Sequence, residues 1–260
     1  MTRSMDLFRL DGHLALVTGG AGFYGTPISR ALAEAGAKVI IASRSRERCE
    51  ERAAELREAG LSCAAEQFDM GDPNSIRALY ARISDTHGVP DILVNNALLR
   101  SPTHYDEATP EQWAAALQAN VTGIHICTGV FSAGMRARRS GSIINIASIY
   151  GVVAPDFRIY EGMDFASPPD YPFHKGGLIA YTRYCASLFA PDGVRVNCLS
   201  PGGYYSGQSE TFVERYSARV PMGRMACDDD IAGPIVFLAS DASRYITGAN
   251  ILVDGGLTIR

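Results

Sequence analysis

Short apolar runs rich in β-branched residues recur along the whole chain, with helix-like segments between them. The runs cover residues 13–19, 37–43, 61–67, 91–97, 141–148, 194–200 and 249–255. Nearly continuous hydrophobic runs are typical of parallel strands that helices cover on both faces. The intervening segments 26–36 and 46–60 repeat apolar residues at helical spacing and end in glycine, a helix stop signal. The alternation predicts an α/β fold with a doubly wound, seven-stranded parallel sheet.

Length and composition fit one large globular domain over residues 1–260, of which 47% are hydrophobic and 20% are charged. The net charge of −4 gives no indication of a nucleic-acid surface. The N-terminal residues lack the apolar core of a signal peptide, and no stretch approaches the roughly 20 apolar residues of a membrane span. The six cysteines form no C-x-x-C pair and have no histidine at metal-ligand spacing. We therefore expect a cytoplasmic protein that binds no metal, nucleic acid or membrane.

A glycine-rich turn, "VTGGAGFYG" at residues 17–25, closes the first predicted strand and opens the first predicted helix. Gly19, Gly22 and Gly25 allow a tight turn and close backbone approach, and the helix N-terminus offers free N–H groups to a phosphate. The spacing differs from G-x-G-x-x-G, and such a turn can also be purely structural. Its position after the first strand favours nucleotide binding, with Phe23 and Tyr24 in contact with the cofactor.

The next two strand ends carry the residues that would select the nucleotide. Ser43 and Arg44 stand where an acidic residue often accepts a hydrogen bond from the ribose of NAD, and an arginine there suits the 2′-phosphate of NADP. The alternative is an arginine that simply starts a helix. Asp69, with its neighbour Met70, would meet the adenine, unless Asp69 caps the following helix. We expect NADP to be preferred, with NAD possible.

Tyr171 and Lys175 form the most informative pair, because the chain has 22 arginines and only one other lysine, Lys38. The alternative is a ring and a charge on the surface of a helix. Residues at i and i+4 share one helix face, and Pro172 is tolerated only in the first turn, so Tyr171 lies at the helix mouth. A free phenol has a pKa near 10, and a nearby ammonium favours the phenolate. An arginine, being a planar fork, would not do the same job as an ammonium.

Taken in order, the motifs resemble the short-chain dehydrogenase/reductase family, in its single-domain branch, over about residues 10–257. The resemblance rests on "TGGAGFYG", "NNA" at 95–97, "QANVTG", "INIAS", the Tyr171/Lys175 pair, "SPGG" at 200–203 and "YITGANILVDGG". It implies a single-domain Rossmann fold and an NAD(P)-dependent oxidoreductase.

The same resemblance implies roles for individual residues. Asn120 would hold a water that relays protons, Ser148 would bind the substrate oxygen, and Tyr171 would be the general acid/base. Lys175 would lower the pKa of Tyr171 and bind the nicotinamide ribose. The remaining cofactor contacts implied are Asn96 and Ala97 on the adenosine side, and Pro201, Gly202 and Ser206 at the nicotinamide.

Three departures from the family pattern stand out. Phe23 replaces a usual glycine, and Leu98 does the same after "NNA". Tyr171 follows Ser148 by 23 positions, which exceeds the usual gap, so residues 152–168 form an insertion that leaves the active site and returns to it. We expect this insertion to be a wall of the substrate pocket, with contacts from Asp156, Arg158, Tyr160 and Glu161. The alternative is a surface excursion packed on a neighbouring subunit.

Similar insertions occur in proteins that resemble gluconate 5-dehydrogenase and in oxidoreductases linked to nonulosonate sugars. The leading hypothesis is therefore the interconversion of a secondary alcohol and a ketone on a sugar, sugar acid or polyol. A 3-oxoacyl-thioester reductase and a catalytically silent cofactor-binding regulator are the alternatives. The resemblance also implies a homodimer or homotetramer, built partly on the helix after Tyr171.

Overall fold

The computed structural model describes residues 3–100 and 104–259. Its centre is one sheet of seven parallel strands. The strands are β1 (Leu14–Thr18), β2 (Lys38–Ser43), β3 (Cys63–Gln67), β4 (Ile92–Asn95), β5 (Gly141–Ile146), β6 (Val194–Pro201) and β7 (Asn250–Val253). Their order across the sheet is β3-β2-β1-β4-β5-β6-β7. This confirms the predicted doubly wound parallel sheet, although several strands are shorter than the apolar runs that predicted them.

Helices connect the strands and cover the sheet. They are α1 (Gly25–Glu34), α2 (Arg46–Glu58), α3 (Pro73–His87), α4 (Pro110–Leu117), α5 (Ile124–Ala137), α6 (Asp170–Phe189), α7 (Glu210–Ser217) and α8 (Asp228–Ala239). A π-helical turn, Gln118–Gly123, joins α4 to α5. The predicted stop signals are confirmed for the first two helices, because Gly36 and Gly60 follow them with φ of 107° and 81°.

Two buried layers hold the sheet between the helices. Alternate residues of a strand point to opposite faces, so Val17 enters one layer and Leu16 the other. The first layer contains buried side chains of α1, α2 and α8, and the second contains those of α3, α5 and α6. Burial on both faces explains why the strands read as continuous apolar runs and not as alternating ones.

The strand order reverses at the neighbouring strands β1 and β4. In open α/β sheets, ligands bind in the crevice outside the carboxyl ends of the strands at such a switch point. The glycine turn follows β1, and the "NNA" segment follows the end of β4. The topology therefore brings two segments of predicted cofactor residues, far apart in sequence, to the same crevice.

The predicted insertion, residues 152–168, lies between a 3₁₀ turn at Ile149–Gly151 and the start of α6. Its one regular element is a second 3₁₀ turn, Phe157–Tyr160. The insertion packs on α7 and the residues after it through a third apolar cluster, separate from the two layers on the sheet. We call it the satellite cluster; its buried members are Ile159, Phe212, Tyr216, Val220 and Met225.

All six cysteines are free thiols, and five of them are buried. In the part of the chain that the structure describes, no group of three or more His, Cys, Asp or Glu side chains could hold a metal ion. The same residues include no helix with the length and apolarity needed to cross a bilayer.

Candidate active site

A cavity of about 840 Å³ opens at the carboxyl edge of the sheet. Its walls come from the glycine turn after β1, the segments after β2, β3 and β4, the Ser148 turn, and the segment from β6 into α7. Fifteen predicted site residues line it: Gly19, Gly22, Phe23, Tyr24, Ser43, Arg44, Asp69, Met70, Asn96, Ala97, Ser148, Tyr160, Tyr171, Gly202 and Ser206. One crevice thus gathers predicted residues from eight separate segments of the chain.

The glycine turn needs its glycines for packing as well as for shape. Gly19 has φ of 64°, and a Cβ added there would lie 2.8 Å from the Cα of Ala97. A Cβ on Gly25 would lie 2.1 Å from the carbonyl oxygen of Gly19. Gly25 itself is buried as the first residue of α1 and forms the support of the turn, not its lining.

Thr18, which is not among the predicted site residues, ties the glycine turn to the "NNA" segment. Its buried hydroxyl donates to the Val94 carbonyl and accepts from the backbone N–H groups of Asn96 (3.0 Å) and Ala97 (3.1 Å). The Asn96 side-chain amide donates back to the carbonyls of Thr18 and Gly19, at 3.1 and 3.0 Å. These two hydrogen bonds from the Asn96 side chain therefore hold the glycine turn in place. A threonine at the end of a central strand was the sequence signal that could have predicted these hydrogen bonds.

At the far end of the cavity, Ser43 and Arg44 line the wall beside Ser45 and Arg48, which the sequence analysis did not select. Ser45 caps α2 by accepting from the backbone N–H of Arg48. Further along α2, Arg52 and Arg57 pair with glutamates. Across the described residues, no acidic partner lies within ion-pair distance of Arg44 or Arg48.

Asp69 is not the cap of the helix that follows it. Asp72 takes that place, accepting from the backbone N–H of Asn74 at 2.9 Å. Asp69 accepts from the N–H of Gly71 at 2.8 Å, and it faces the cavity with Met70. The capping alternative for Asp69 is therefore wrong, which leaves its carboxylate available on the wall of the cavity.

Tyr171 is the second residue of α6, so the predicted helix-mouth position is correct. Burial raises the pKa of Tyr171, while a hydrogen bond with Ser148 and the charge of Arg100 act in the opposite direction. The Lys175 ammonium lies 5.5 Å from the centre of the Tyr171 ring and donates to the Ile146 carbonyl at 2.7 Å. Burial lowers the pKa of Lys175 to about 8.

Asn120 lies in the π-helical turn and is buried behind the lining of the cavity. Its side-chain amide forms a closed pair with the backbone of Leu99: Oδ1 accepts from the N–H and Nδ2 donates to the carbonyl, each at 2.8 Å. π-Helical turns are frequent at functional sites. In this structure the Asn120 side chain positions the segment after β4, and the predicted water relay stays a prediction.

Of the three residues predicted to hold the nicotinamide, two line the cavity and one does not. Pro201 is the buried last residue of β6, whereas Gly202 and Ser206 reach the cavity. The phenol of Tyr24 donates to the Gly202 carbonyl at 2.7 Å, which connects the glycine turn to this segment.

The insertion contributes one of its four predicted substrate residues to the cavity lining, Tyr160. Asp156 forms ion pairs with Arg158 (2.8 Å) and Arg219 (2.5 Å), and these guanidinium groups hold the pKa of its carboxyl below the ordinary value. The Glu161 backbone carbonyl accepts from Arg215. Asp156, Arg158 and Glu161 thus lie where the insertion meets α7 and the residues after it, outside the lining of the cavity.

Other side chains on the wall were not predicted: Arg100, Tyr150, Phe212, Tyr216 and Met225. Arg100 lies over the ring of Phe23, 5.3 Å from its centre, and its charge acts on Tyr171. Tyr150 follows Ser148 by two residues and crosses the Tyr171 ring edge to face at 6.5 Å. Phe212 and Tyr216 belong to the satellite cluster. An arginine directly after "NNALL" and a tyrosine two residues after Ser148 were visible signals.

A family model described as enoyl-(acyl carrier protein) reductase matches residues 24–258. The chain belongs to the short-chain dehydrogenase/reductase family. It is therefore an oxidoreductase, and the members of this family act on CH–OH groups.

Three relatives illustrate the range of this similarity. An uncharacterised oxidoreductase of Thermotoga maritima is 35% identical over 96% of this chain and 98% of its own length. Cis-4-hydroxycyclohexanecarboxylate dehydrogenase of Sinomonas cyclohexanicum is 34% identical over 94% and 96%. A 3-oxoacyl-[acyl-carrier-protein] reductase of Vibrio cholerae is 32% identical over 95% and 98%.

Solved structures agree with the fold. A gluconate 5-dehydrogenase from Burkholderia cenocepacia, in complex with NADP and tartrate, superposes with a TM-score of 0.90, at 31% identity over 99% of this chain and 100% of that one. A short-chain dehydrogenase from Leptospira borgpetersenii with bound NAD⁺ superposes with a TM-score of 0.86, at 30% identity over 99% and 97%. Both structures contain a nicotinamide cofactor.

Proposed function

We propose that the protein interconverts a secondary alcohol and a ketone on a sugar, sugar acid or polyol, with NADP as the preferred cofactor. The observation that carries the proposal is the placement of Ser148 and Tyr171 on one wall of the cavity, with the Lys175 ammonium 5.5 Å from the tyrosine ring centre. These residue types match a reaction in which the protein handles one proton at the substrate oxygen.

The residues along the cavity fit a dinucleotide. Backbone N–H groups at the start of α1 suit a pyrophosphate, and the carboxylate of Asp69 lies on the wall where we expect the adenine. A bound nicotinamide supplies or accepts the hydride, so the chain's own residues have to orient the substrate and move the proton. We assign the remaining predicted contacts, Gly25 and Pro201, to support of the cofactor segments.

In the proposed reaction Ser148 holds the substrate oxygen and Tyr171 exchanges a proton with it. Burial keeps the Tyr171 phenol protonated in the free protein, which suits donation to a ketone oxygen. Removal of the alcohol proton needs the phenolate, which the Ser148 hydrogen bond and the Arg100 charge favour. Lys175 would hold the ribose hydroxyls. Asn120, which lies in the π-helical turn, would hold the water that relays protons.

The preference for NADP is supported by the two arginines on the adenosine wall, Arg44 and Arg48. Each presents a guanidinium with no acidic partner among the described residues. A phosphate monoester is the group that two unpaired guanidinium groups recognise best, through charge-assisted hydrogen bonds. The ribose hydroxyl of NAD would leave both charges without a partner.

The polar substrate class is supported by Arg100 at the mouth of the cavity and by Tyr160 from the insertion. The cation of Arg100 suits a substrate carboxylate, as a sugar acid carries. The similarity to a gluconate 5-dehydrogenase points the same way. Asp156, Arg158 and Glu161 would then act on the substrate only through the position of the insertion.

The test is turnover by the purified protein, followed by reduced-nicotinamide absorbance with NADP and with NAD. We would supply gluconate, a set of polyols and a model 3-oxoacyl thioester. We expect NADP-dependent oxidation of a sugar-type substrate, and loss of that turnover in Tyr171→Phe. Activity that survives Tyr171→Phe nearly unchanged would refute the mechanism, and a wild-type protein that binds NADP but turns over no substrate would favour the regulator hypothesis.

A second candidate, reduction of a 3-oxoacyl thioester, is favoured by the description of the matching family model and by the Vibrio cholerae relative. Turnover of the thioester alone would select this candidate. The insertion would then serve as scaffolding.

We also propose a homodimer or homotetramer that works in the cytoplasm. One face of α6 exposes three large apolar side chains, Phe173, Tyr184 and Leu188. Free thiols at every cysteine suit a reducing compartment. Light scattering of the wild type and of Leu188→Glu tests the assembly, since a buried charge would shift an oligomer that uses this face toward monomer.

A further inference from the structure

Two tyrosine hydroxyls meet on the wall of the cavity beside the catalytic residues. The phenols of Tyr150 and Tyr160 are 2.9 Å apart, and both side chains line the cavity. We propose that this pair is a subsite for a second oxygen of the substrate, a hydroxyl or carbonyl on a carbon near the reacting one. The inference rests on the proposed function and adds to it the feature that the enzyme selects.

The pair is held firmly from both sides. Tyr150 follows the Ser148 turn, where its backbone N–H donates to the Ser148 hydroxyl at 3.2 Å. The Tyr160 ring contacts Phe165 and Phe212, with centres 6.0 and 5.7 Å away. The insertion carrying Tyr160 also forms the Asp156–Arg219 ion pair with the segment after α7. A group held this rigidly binds a ligand without the entropic cost of ordering flexible side chains.

The chemistry of the pair defines what it can bind. Each phenol has one proton to donate and lone pairs to accept. When one phenol donates to the other, the acceptor keeps its own proton free, and lone pairs remain on both oxygens. Burial raises the pKa of both phenols, so the pair is neutral. It therefore offers one donor and several acceptor positions and carries no net charge, which matches a neutral hydroxyl group.

The position of the pair sets where that hydroxyl must be. The Tyr150 ring meets the Tyr171 ring edge to face at 6.5 Å, and Ser148 is two residues away in the chain. A substrate whose reacting oxygen is held by Ser148 and Tyr171 therefore extends past the pair with its adjacent carbons. A substrate lacking the second oxygen leaves the free phenol proton without a partner inside the cavity, and the site discriminates against it.

The test compares cyclohexane-1,2-diol with cyclohexanol in the wild type, Tyr150→Phe and Tyr160→Phe. Phenylalanine keeps the ring packing and removes only the hydroxyl. We expect each variant to lower kcat/KM for the diol by roughly 10-fold while cyclohexanol changes by less than about 2-fold. Tyr245→Phe is the matched control, because Tyr245 is fully exposed and lies outside the cavity lining.

Two results would overturn the subsite: an unchanged ratio of diol to cyclohexanol in both variants, or an equal loss for both substrates, which indicates a structural function. Binding of the diol to NADP-saturated protein, measured by calorimetry, separates this proposal from the proposed function. A Kd that weakens in both variants supports the subsite even if hydride transfer is absent. A wild type that does not bind the diol, or a Kd equal in all three proteins, refutes it.

Discussion

The two ends of the cavity are built in different ways. The cofactor end consists of backbone turns at the carboxyl ends of strands, held by local bonds such as those of Thr18 and Asn96. The substrate end consists of side chains from the Ser148 turn, the insertion and α7. These side chains are neighbours in the fold although about 60 positions separate Tyr150 from Phe212 in the sequence. Short sequence motifs therefore predict the cofactor end, whereas the substrate end depends on contacts between residues that are far apart in the sequence. Substitutions can break the two ends separately.

The largest effect is expected where both ends meet, at Tyr171. Tyr171→Phe removes the proton that the substrate oxygen exchanges, and we expect kcat to fall by about 10²–10⁴-fold. The Kd for NADP should change by less than about 3-fold, since the ring still fills its position. Stopped assays for kcat and fluorescence titration for Kd give the two numbers. A parallel loss of both would mean that Tyr171 organises the cofactor end as well.

The next effect tests why a chain rich in arginine has a lysine at 175. Lys175 is buried and its ammonium donates to the Ile146 carbonyl. An arginine would bring a larger, planar group into this buried position, and we expect it not to reproduce the contact. We expect Lys175→Arg to lower kcat/KM by about 10²-fold even though the charge is kept. Lys175→Met provides the uncharged comparison. Equal activity of Lys175→Arg and wild type would show that charge alone is needed.

The free energy of unfolding should depend on pH because burial shifts the pKa of Lys175. Burial lowers the pKa of Lys175 to about 8 in the folded protein, below its unfolded value, so the folded state binds fewer protons above pH 8. The cost of burying the charged ammonium is therefore present below pH 8 and disappears as the pH rises toward the unfolded pKa. In the cofactor-free protein, Lys175→Met should remove this part of the pH dependence of the free energy of unfolding, as measured by urea denaturation between pH 7 and 9.5.

A smaller and more selective effect is expected at the adenosine wall. Arg44→Ala and Arg48→Ala each remove one guanidinium that faces the cavity, and we expect the KM for NADP to rise about 10- to 100-fold while that for NAD stays nearly constant. Arg46→Ala is the matched control, since Arg46 lies in the same helical turn outside the cavity lining. A KM for NADP that is insensitive to both substitutions would disprove the preference for NADP.

The smallest effect should appear at the anchor of the insertion. Arg219→Ala breaks the contact with Asp156 but leaves Tyr160 in the satellite cluster. We expect a rise of about 2- to 5-fold in substrate KM and no change in the Kd for NADP, because partly exposed ion pairs contribute little. A change in the Kd for NADP would show that the two ends of the cavity are coupled.

The same contrast explains what the sequence could and could not predict. All seven strands and the helix-mouth position of Tyr171 followed from apolar periodicity and from Pro172, since these depend on local geometry. At the insertion, the charge of Asp156, Arg158 and Glu161 predicts contact with a polar substrate. In the folded protein Asp156 is neutralised by Arg158 and Arg219, and Arg219 is 63 positions away. No spacing rule connects residues so distant, so neither this ion pair nor the place of Phe212 and Tyr216 on the cavity wall could be predicted.

The satellite cluster has a consequence for how such a protein diversifies. Its buried members share no residue with the two layers that hold the sheet. We therefore expect substitutions at Phe212, Met225 or Tyr160 to reshape this wall of the cavity without displacing the strands that precede Ser148 and the glycine turn. A lineage built on this plan can acquire new substrates by exchanging one small module while its redox machinery is inherited unchanged.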